Sequence, residues 1–542
     1  MLAGIRAALS VVTLALALGA ASSTRAGGNQ PASAGAPADG RAIYLQGKRA
    51  GGGAVVADRA GGLGASGATA ACVNCHRRSG FGGNEGRSYI PPINAASLFE
   101  RRLPGTGASA SGTGRPAYTD QSLARAIRDG VDPTGRRLDY LMPRYRLGDD
   151  EVKSLVAYLR QLSTQPSPGT STPAVDFATV VAPDMPRERS KAMVEVLQAC
   201  FNDHNAGPPP QHGRKRLSSE MSLREQRKWR LHVWELEGEP DTWERQLASH
   251  ASRQPVFAMV AGLGGGQWAP VHEFCERGAL PCLFPQVEVP VSDATAFYPL
   301  YLSQSVLLEA AIIGRELAQE GRTIRRVVQV LRTGDEGARS GAEALRRSLA
   351  ERGVQEQELR VDASAPLDAG TLEAAVGADA LILWLRPDDL KRLDRLDPVP
   401  AQVYLSATLM DSGEAALPAA WKARALMAYP FELPQNRTTR MGAVHTWLQA
   451  HGIAPAQERV QADAYVACAA LGAGMNEVAD HLQRDYLVER LEVIMERGTV
   501  TGLYPRLTLG AGQRFASKTG YLVRFEDARP GQVVPVGERI AP

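Results

Sequence analysis

Apolar residues follow two alternating rhythms over most of this chain. From residue 174 onward, short runs rich in β-branched and aromatic residues, "FATVVAP" (177–183), "LHVWELEG" (231–238), "PVFAMVAG" (255–262) and "LPCLFP" (280–285), alternate with stretches of helical periodicity. Met193, Val196, Leu197, Cys200 and Phe201, for example, fall on one helical face. Such alternation predicts α/β architecture with parallel sheets. A long apolar helix (305–321) separates this set from a second, with strands expected in 325–337, 378–387 and 401–410. The chain then returns through "ALMAYPFELP" to helices around 436–478, so two lobes joined by several crossings are expected. Upstream of residue 163 the pattern differs. Val152, Leu155, Val156, Leu159 and Leu162 form a helical stripe behind the acidic turn Asp149, Asp150 and Glu151, and "DGRAIYLQG" (39–47) predicts a short helix to pack on it. A small all-α domain is expected over 39–163. Residues 164–174, the body of "STQPSPGTSTPA", have no apolar period and read as a linker, after which the α/β part spans 175–535.

The N-terminus adds a location. One arginine, an apolar run from about Ala7 to Leu18 and then small residues have the layout of a secretory signal, with cleavage after Ala26. The run is too short for a stable membrane span and none like it follows. A signal peptide over 1–26 implies export, a periplasmic location and an oxidising compartment. Charge divides with the domains. Residues 39–162 carry 18 Lys/Arg against 11 Asp/Glu, whereas residue 163 onward has 41 against 47. The first part is basic, which suits an acidic partner as well as it suits an arginine-rich composition; the overall charge of +3 points to no nucleic acid.

One motif carries specific chemistry. "ATAACVNCHRRSG" (68–80) holds Cys72, Cys75 and His76 in a C-x-x-C-H pattern. Two thiols at this spacing add across haem vinyl groups and the adjacent imidazole binds the iron. A zinc site needs a second Cys/His pair, and the region has none; a redox dithiol needs a βαβ setting, also lacking. Between residue 27 and the linker there is one histidine, His76, and one methionine, Met142, in "LDYLMPRYRLGDD". Met142 is therefore the candidate sixth ligand, and with both axial positions filled the expected chemistry is one-electron transfer rather than catalysis.

On these residues 39–163 resembles a class I cytochrome c. The shared features are an N-terminal helix, C-x-x-C-H, a methionine followed by proline, and a C-terminal helix ending in "YLRQL". The resemblance implies one covalent haem c ligated by His76 and Met142. It also implies that Pro91 and Pro92, in "YIPPIN", lie along the haem edge.

Residues 174 to about 535 resemble a type I periplasmic solute-binding protein, through "CERGALPCLFP", the crossing "FYPLYLSQS" (297–305) and the tail "YPRLTLGAGQRFASKTGYLVRF" (504–525). Together the two parts resemble fusions of a cytochrome c with the substrate-binding protein of an ABC transporter. The resemblance implies a bilobed clamp, a small-molecule ligand or an ABC permease as partner, and a periplasmic redox partner such as a quinoprotein dehydrogenase or another cytochrome. Ligands of such folds sit at the carboxyl ends of strands. The expected contacts are Gly264, Gly265, Gly266 and Gln267 in "GLGGGQ", with Asp335 for an ammonium and Arg386 for an anion. Cys275 and Cys282, flanking a turn at Gly278, are expected to form a disulfide; Cys200 and Cys468 read either as a pair across one lobe or, by preference, as free core cysteines. No G-x-S-x-G, P-loop or H-E-x-x-H occurs, so no catalytic residue and no enzyme are expected.

Overall fold

The computed structural model describes residues 37–59, 62–102, 114–207, 227–319, 324–393, 402–410, 417–498, 502–526 and 532–542. The expected signal peptide lies outside them. The chain groups into two compact units, Met1–Ala71 with Tyr118–Leu159, and Cys72–Ala117 with Arg160–Pro542. The division does not fall at the linker: Cys72, Cys75 and His76 group with the α/β part of the chain.

In the first unit, helix Pro37–Gln46 packs on helix Asp149–Leu159. Gly40 explains how closely. A Cβ there would lie 2.1 Å from the Ser154 carbonyl oxygen, so only glycine lets the two backbones meet. Tyr44 then packs on Tyr158 with ring centres 5.3 Å apart, and Ile43, Leu155, Val156 and Leu159 are buried beside them. A third helix, Asp120–Asp129, starts from a reciprocal Thr119–Ser122 cap and ends at Gly130 in the left-handed conformation. A short antiparallel ladder of strands Gly64–Ser66, Val56–Asp58 and Arg144–Tyr145 joins these helices, an addition that the helical pattern does not predict.

The second unit holds two seven-stranded sheets. In the first, strand Ala174–Val181 pairs in parallel with Lys228–Glu235 on one side and with Ala258–Val260 on the other. Short parallel strands at 263–264, 282–283, 286–287 and 299–300 complete it. Helices Arg187–Ala206 and Glu458–Val478 cover this sheet, and both sit in one apolar core with Phe177, Phe201 and Trp229. The second sheet runs Gln355–Val361, Arg326–Arg332, Ala380–Trp384, Gln402–Ser406 and Ala425–Tyr429 in parallel, then Tyr521–Phe525 and Val533–Pro535 antiparallel. Segments at 299–305, 429–433 and 503–517 run side by side between the sheets. Glu432 N–H donates to the Leu503 carbonyl at 2.8 Å, and Tyr301 N–H to that of Arg514 at 2.8 Å. The two-lobed α/β clamp is thus present. Among the described residues no helix is long and apolar enough to cross a membrane.

Two sequence expectations change. The 164–174 stretch is packed rather than trailing: Gly169, with φ +78°, lies so close to Val256–Phe257 that a Cβ would meet the Phe257 nitrogen at 2.2 Å, and Ser167 is buried. Cys200 and Cys468 are bonded to each other, because helices Arg187–Ala206 and Glu458–Val478 pack side by side. Cys275 and Cys282 form the second disulfide.

Candidate functional site

The C-x-x-C-H motif forms a single helical turn, Val73–His76, preceded by Cys72. His76 N–H donates to the Cys72 carbonyl at 3.0 Å, so positions 72, 75 and 76 lie on one side of the turn. Arg77, in the left-handed region at φ +65°, ends it. Gly80 and Gly82, both at positive φ, fold the chain back so that Gly82 N–H reaches the His76 carbonyl at 3.1 Å. Gly82 has no alternative here, since a Cβ would lie 2.3 Å from the Ile90 carbonyl oxygen.

This wrapping buries His76 and orients its ring. Nδ1 lies 3.1 Å from the Pro91 carbonyl oxygen, which fixes the proton on Nδ1 and leaves Nε2 as the nitrogen with a free lone pair. Burial pushes the imidazole down to about 4, only partly opposed by the Pro91 carbonyl, so the ring is neutral at ordinary pH, as an iron ligand must be. Cys72 and Cys75 are the two cysteines outside any disulfide, whereas the other four are paired. Half-buried thiols beside an oriented imidazole are the donor set that covalent haem needs, and the residues fit the group. Pro91 contributes its carbonyl, which sets the histidine. Met142 lies in a turn of the first unit, half-buried, with its N–H on the Asp139 carbonyl at 3.2 Å and its own carbonyl accepting from Arg144.

A second layer behind His76 escaped sequence reasoning. Ser79 is fully buried, and both its N–H (2.8 Å) and its hydroxyl (2.5 Å) donate to the Glu489 carboxylate. Glu489 belongs to helix Arg484–Glu496, where Asp485, Glu489 and Glu492 recur at helical spacing on one face. Arg78 faces Asp485 at 3.7 Å and lies over the Phe297 ring at 4.8 Å; Arg77 faces Glu492 at 3.7 Å; Phe81 stacks on Tyr486 at 4.4 Å. Burial pushes the Glu489 carboxyl up to about 8, with Ser79 pulling the other way. The available signal was three carboxylates at i, i+4 and i+7, which reads as a solvated face until the partner segment is known.

At the cleft between the lobes the expected contacts are brought together, but with one another. Arg386 makes bidentate pairs with Glu288, from the first lobe, at 2.7 and 2.8 Å, and with Asp335, from the second, at 2.7 and 3.0 Å. Burial disfavours the Arg386 charge, yet the two carboxylates hold its pKa above the usual arginine range. Asp335 also caps helix Glu336–Ala350 through Ala338 N–H. The glycine run is occupied by close approaches to the protein's own side chains. A Cβ at Gly264 would meet the Trp268 ring at 2.5 Å, one at Gly265 the Asp184 carboxylate at 2.3 Å, and one at Gly266 the Glu336 side chain at 2.5 Å. Gln267 is exposed. Asp184, exposed beside Glu288, has its pKa raised by partial desolvation and by that neighbouring charge. Among the described residues no cluster of His, Cys, Asp and Glu is arranged to hold a metal ion.

Residues 63–163 match the family model for cytochrome c. The chain also resembles a fatty acid ABC transporter substrate-binding protein from Thermomonospora curvata (15% identity, TM-score 0.50), covering 70% of this chain and 95% of that one. A branched chain amino acid ABC transporter protein from Thermus thermophilus with bound valine is similar at 13% identity and TM-score 0.50, over 68% of this chain and 97% of that one. A solute binding protein of an ABC transporter from Rhodopseudomonas palustris, in complex with 3,4-dihydroxy benzoic acid, gives the same identity, score and coverage. At these identities the likeness establishes the fold alone. A search of curated proteins returns no match.

Proposed function

We propose, for a chain that joins a cytochrome c domain to the fold of a type I periplasmic solute-binding protein, an exported one-electron carrier whose solute-binding module serves as a docking scaffold for its redox partner. The observation that carries this reading is the state of the cysteines: Cys72 and Cys75 stay out of the two disulfides and flank a histidine whose Nε2 is left for iron. Bound haem c would supply a one-electron couple. Cys72 and Cys75 would hold it through their sulfurs, and His76 and Met142 would supply ligands to its iron. Pro91 holds the His76 tautomer, and His76 itself is buried together with Ser79 and Gly80 of the loop that follows it.

The scaffold role rests on the cleft. An arginine that already satisfies two carboxylates, one from each lobe, has little left for a solute anion. Capture of a small molecule by the clamp, with an ABC permease as partner, is the second reading, favoured by the fold itself; an electron-accepting subunit of a quinoprotein dehydrogenase is a special case of the first.

The test uses the full exported chain. A pyridine haemochrome spectrum with protein quantitation should give one haem per chain, and Cys72→Ser with Cys75→Ser should abolish covalent attachment while the protein is still secreted. Absence of haem from correctly exported wild type would overturn the reading. Mass spectrometry of small molecules released on denaturation separates the two roles of the clamp: an empty cleft supports the scaffold, whereas a stoichiometric solute establishes a receptor.

A further inference from the structure

A pocket of about 540 Å³ shares no lining residue with the haem motif or the ion cluster of the cleft, and four arginines line it. Arg440 and Thr439 come from helix Pro434–Ala450, Arg497 and Gly498 from the end of helix Arg484–Glu496, and Pro505, Arg506 and Leu507 from a segment crossing between the lobes. Arg539 comes from the C-terminal tail, next to Ile540, which bridges to Gly520 at the second sheet.

Among the described residues the pocket holds more cationic than anionic side chains. Arg440 pairs with the buried Glu432 at 2.9 Å. Arg539 reaches only the Tyr521 hydroxyl, and among the described residues no carboxylate pairs with Arg497, Arg506 or Arg539. Arg497 has a local reason to be present, since it follows a helix whose C-terminal dipole favours a cation. That reason does not extend to Arg506 and Arg539, which arrive from separate parts of the chain. Like charges gathered round a concavity repel, and the repulsion is relieved by an anion that several guanidinium groups can grip in bidentate fashion. The volume lies within the range of small-molecule sites and Thr439 adds a hydroxyl at the rim.

We propose that this pocket binds a small multivalent anion, a di- or tricarboxylate or a phosphorylated compound, through Arg497, Arg506 and Arg539. The lining joins helices Pro434–Ala450 and Arg484–Glu496, which pack on helix Glu458–Val478 of the first lobe, to a tail attached to the second sheet. Occupancy therefore ties the two lobes together beside their crossings. The proposal does not depend on the electron-transfer reading.

Titration calorimetry of the full haem-bearing chain, in low-salt Bis-Tris chloride, tests it with citrate and pyrophosphate as probes and sulfate as the simple divalent control. The expected result is saturable one-to-one binding of at least one probe, tighter than sulfate. Arg506→Ala and Arg539→Ala should each weaken it about tenfold or more, as loss of a charged hydrogen-bonded contact implies. Arg347→Ala, an exposed arginine on another helix, should leave it unchanged. Citrate alone would assign the source to carboxylates, pyrophosphate alone to phosphoryl groups. No saturable binding, binding no tighter than sulfate, or binding indifferent to both pocket variants would overturn the proposal. Circular dichroism of each variant checks that it is folded.

Discussion

Glu489 shows what a single residue can link. Its carboxyl is buried against Ser79, three positions after His76, with the Asp485 charge pushing its pKa further up and Arg77 pulling it down. The group has an ordinary value of 4.5 and is pushed up to about 8 in the folded chain. Between those limits the folded protein keeps a proton that the unfolded chain has released, so stability falls as pH rises through the window, by at most about 1.4 kcal/mol per pH unit. The melting temperature of the wild type should therefore drop between pH 5 and pH 8 by more than that of Glu489→Gln, whose amide cannot titrate. Equal drops in the two proteins would remove Glu489 from the account. Met142 is tested by its chemistry. Methionine opposite histidine raises the reduction potential, so Met142→His should lower it, read by spectroscopic redox titration with the haem retained. An unchanged potential would place the sixth ligand elsewhere.

Among the elements, helix pairs were easier to foresee than their neighbours. The stripe from Val152 to Leu159 is legible because a helix repeats its buried face every three or four residues, and it packs as that pattern requires. Strand Gln355–Val361 was not legible. It is the edge of the second sheet, only its last residue is buried, and its charged side chains hide the period that marks a central strand. The bond between Cys200 and Cys468 was equally hidden: 268 residues separate the two, and only the packing of their helices brings them together. Cross-linking so long a loop restricts the unfolded chain strongly, so Cys200→Ser with Cys468→Ser should cost about 2–5 kcal/mol and lower the melting temperature. The same double variant should leave the visible spectrum of the haem unaltered. A melting temperature that does not move would mean that helix packing alone sets the stability there.

For the molecule as a whole, the ion cluster at the cleft is the decisive feature. Arg386 neutralises one carboxylate from each lobe, and removing it leaves Glu288 and Asp335 facing each other with like charge. Arg386→Ala should therefore separate the lobes, seen as an increased radius of gyration in small-angle X-ray scattering. High salt should reproduce the effect only weakly in the wild type, because the pairs are half-buried and poorly screened. An unchanged radius would show that the crossings, rather than the cluster, keep the cleft closed. The sequence by itself determined what depends on near neighbours: the C-x-x-C-H turn and the alternating strand and helix periods. These are local because covalent spacing and backbone geometry place side chains within a few residues of each other. Only the tertiary structure decided the rest. Ser79 meets Glu489 across 410 residues, Arg386 is spent on the protein's own carboxylates, and three arginines from separate segments share one pocket. Contacts of that kind leave no periodic trace along the chain. A buried carboxylate and a solvated one have the same letter, and burial is a property of the folded surface alone.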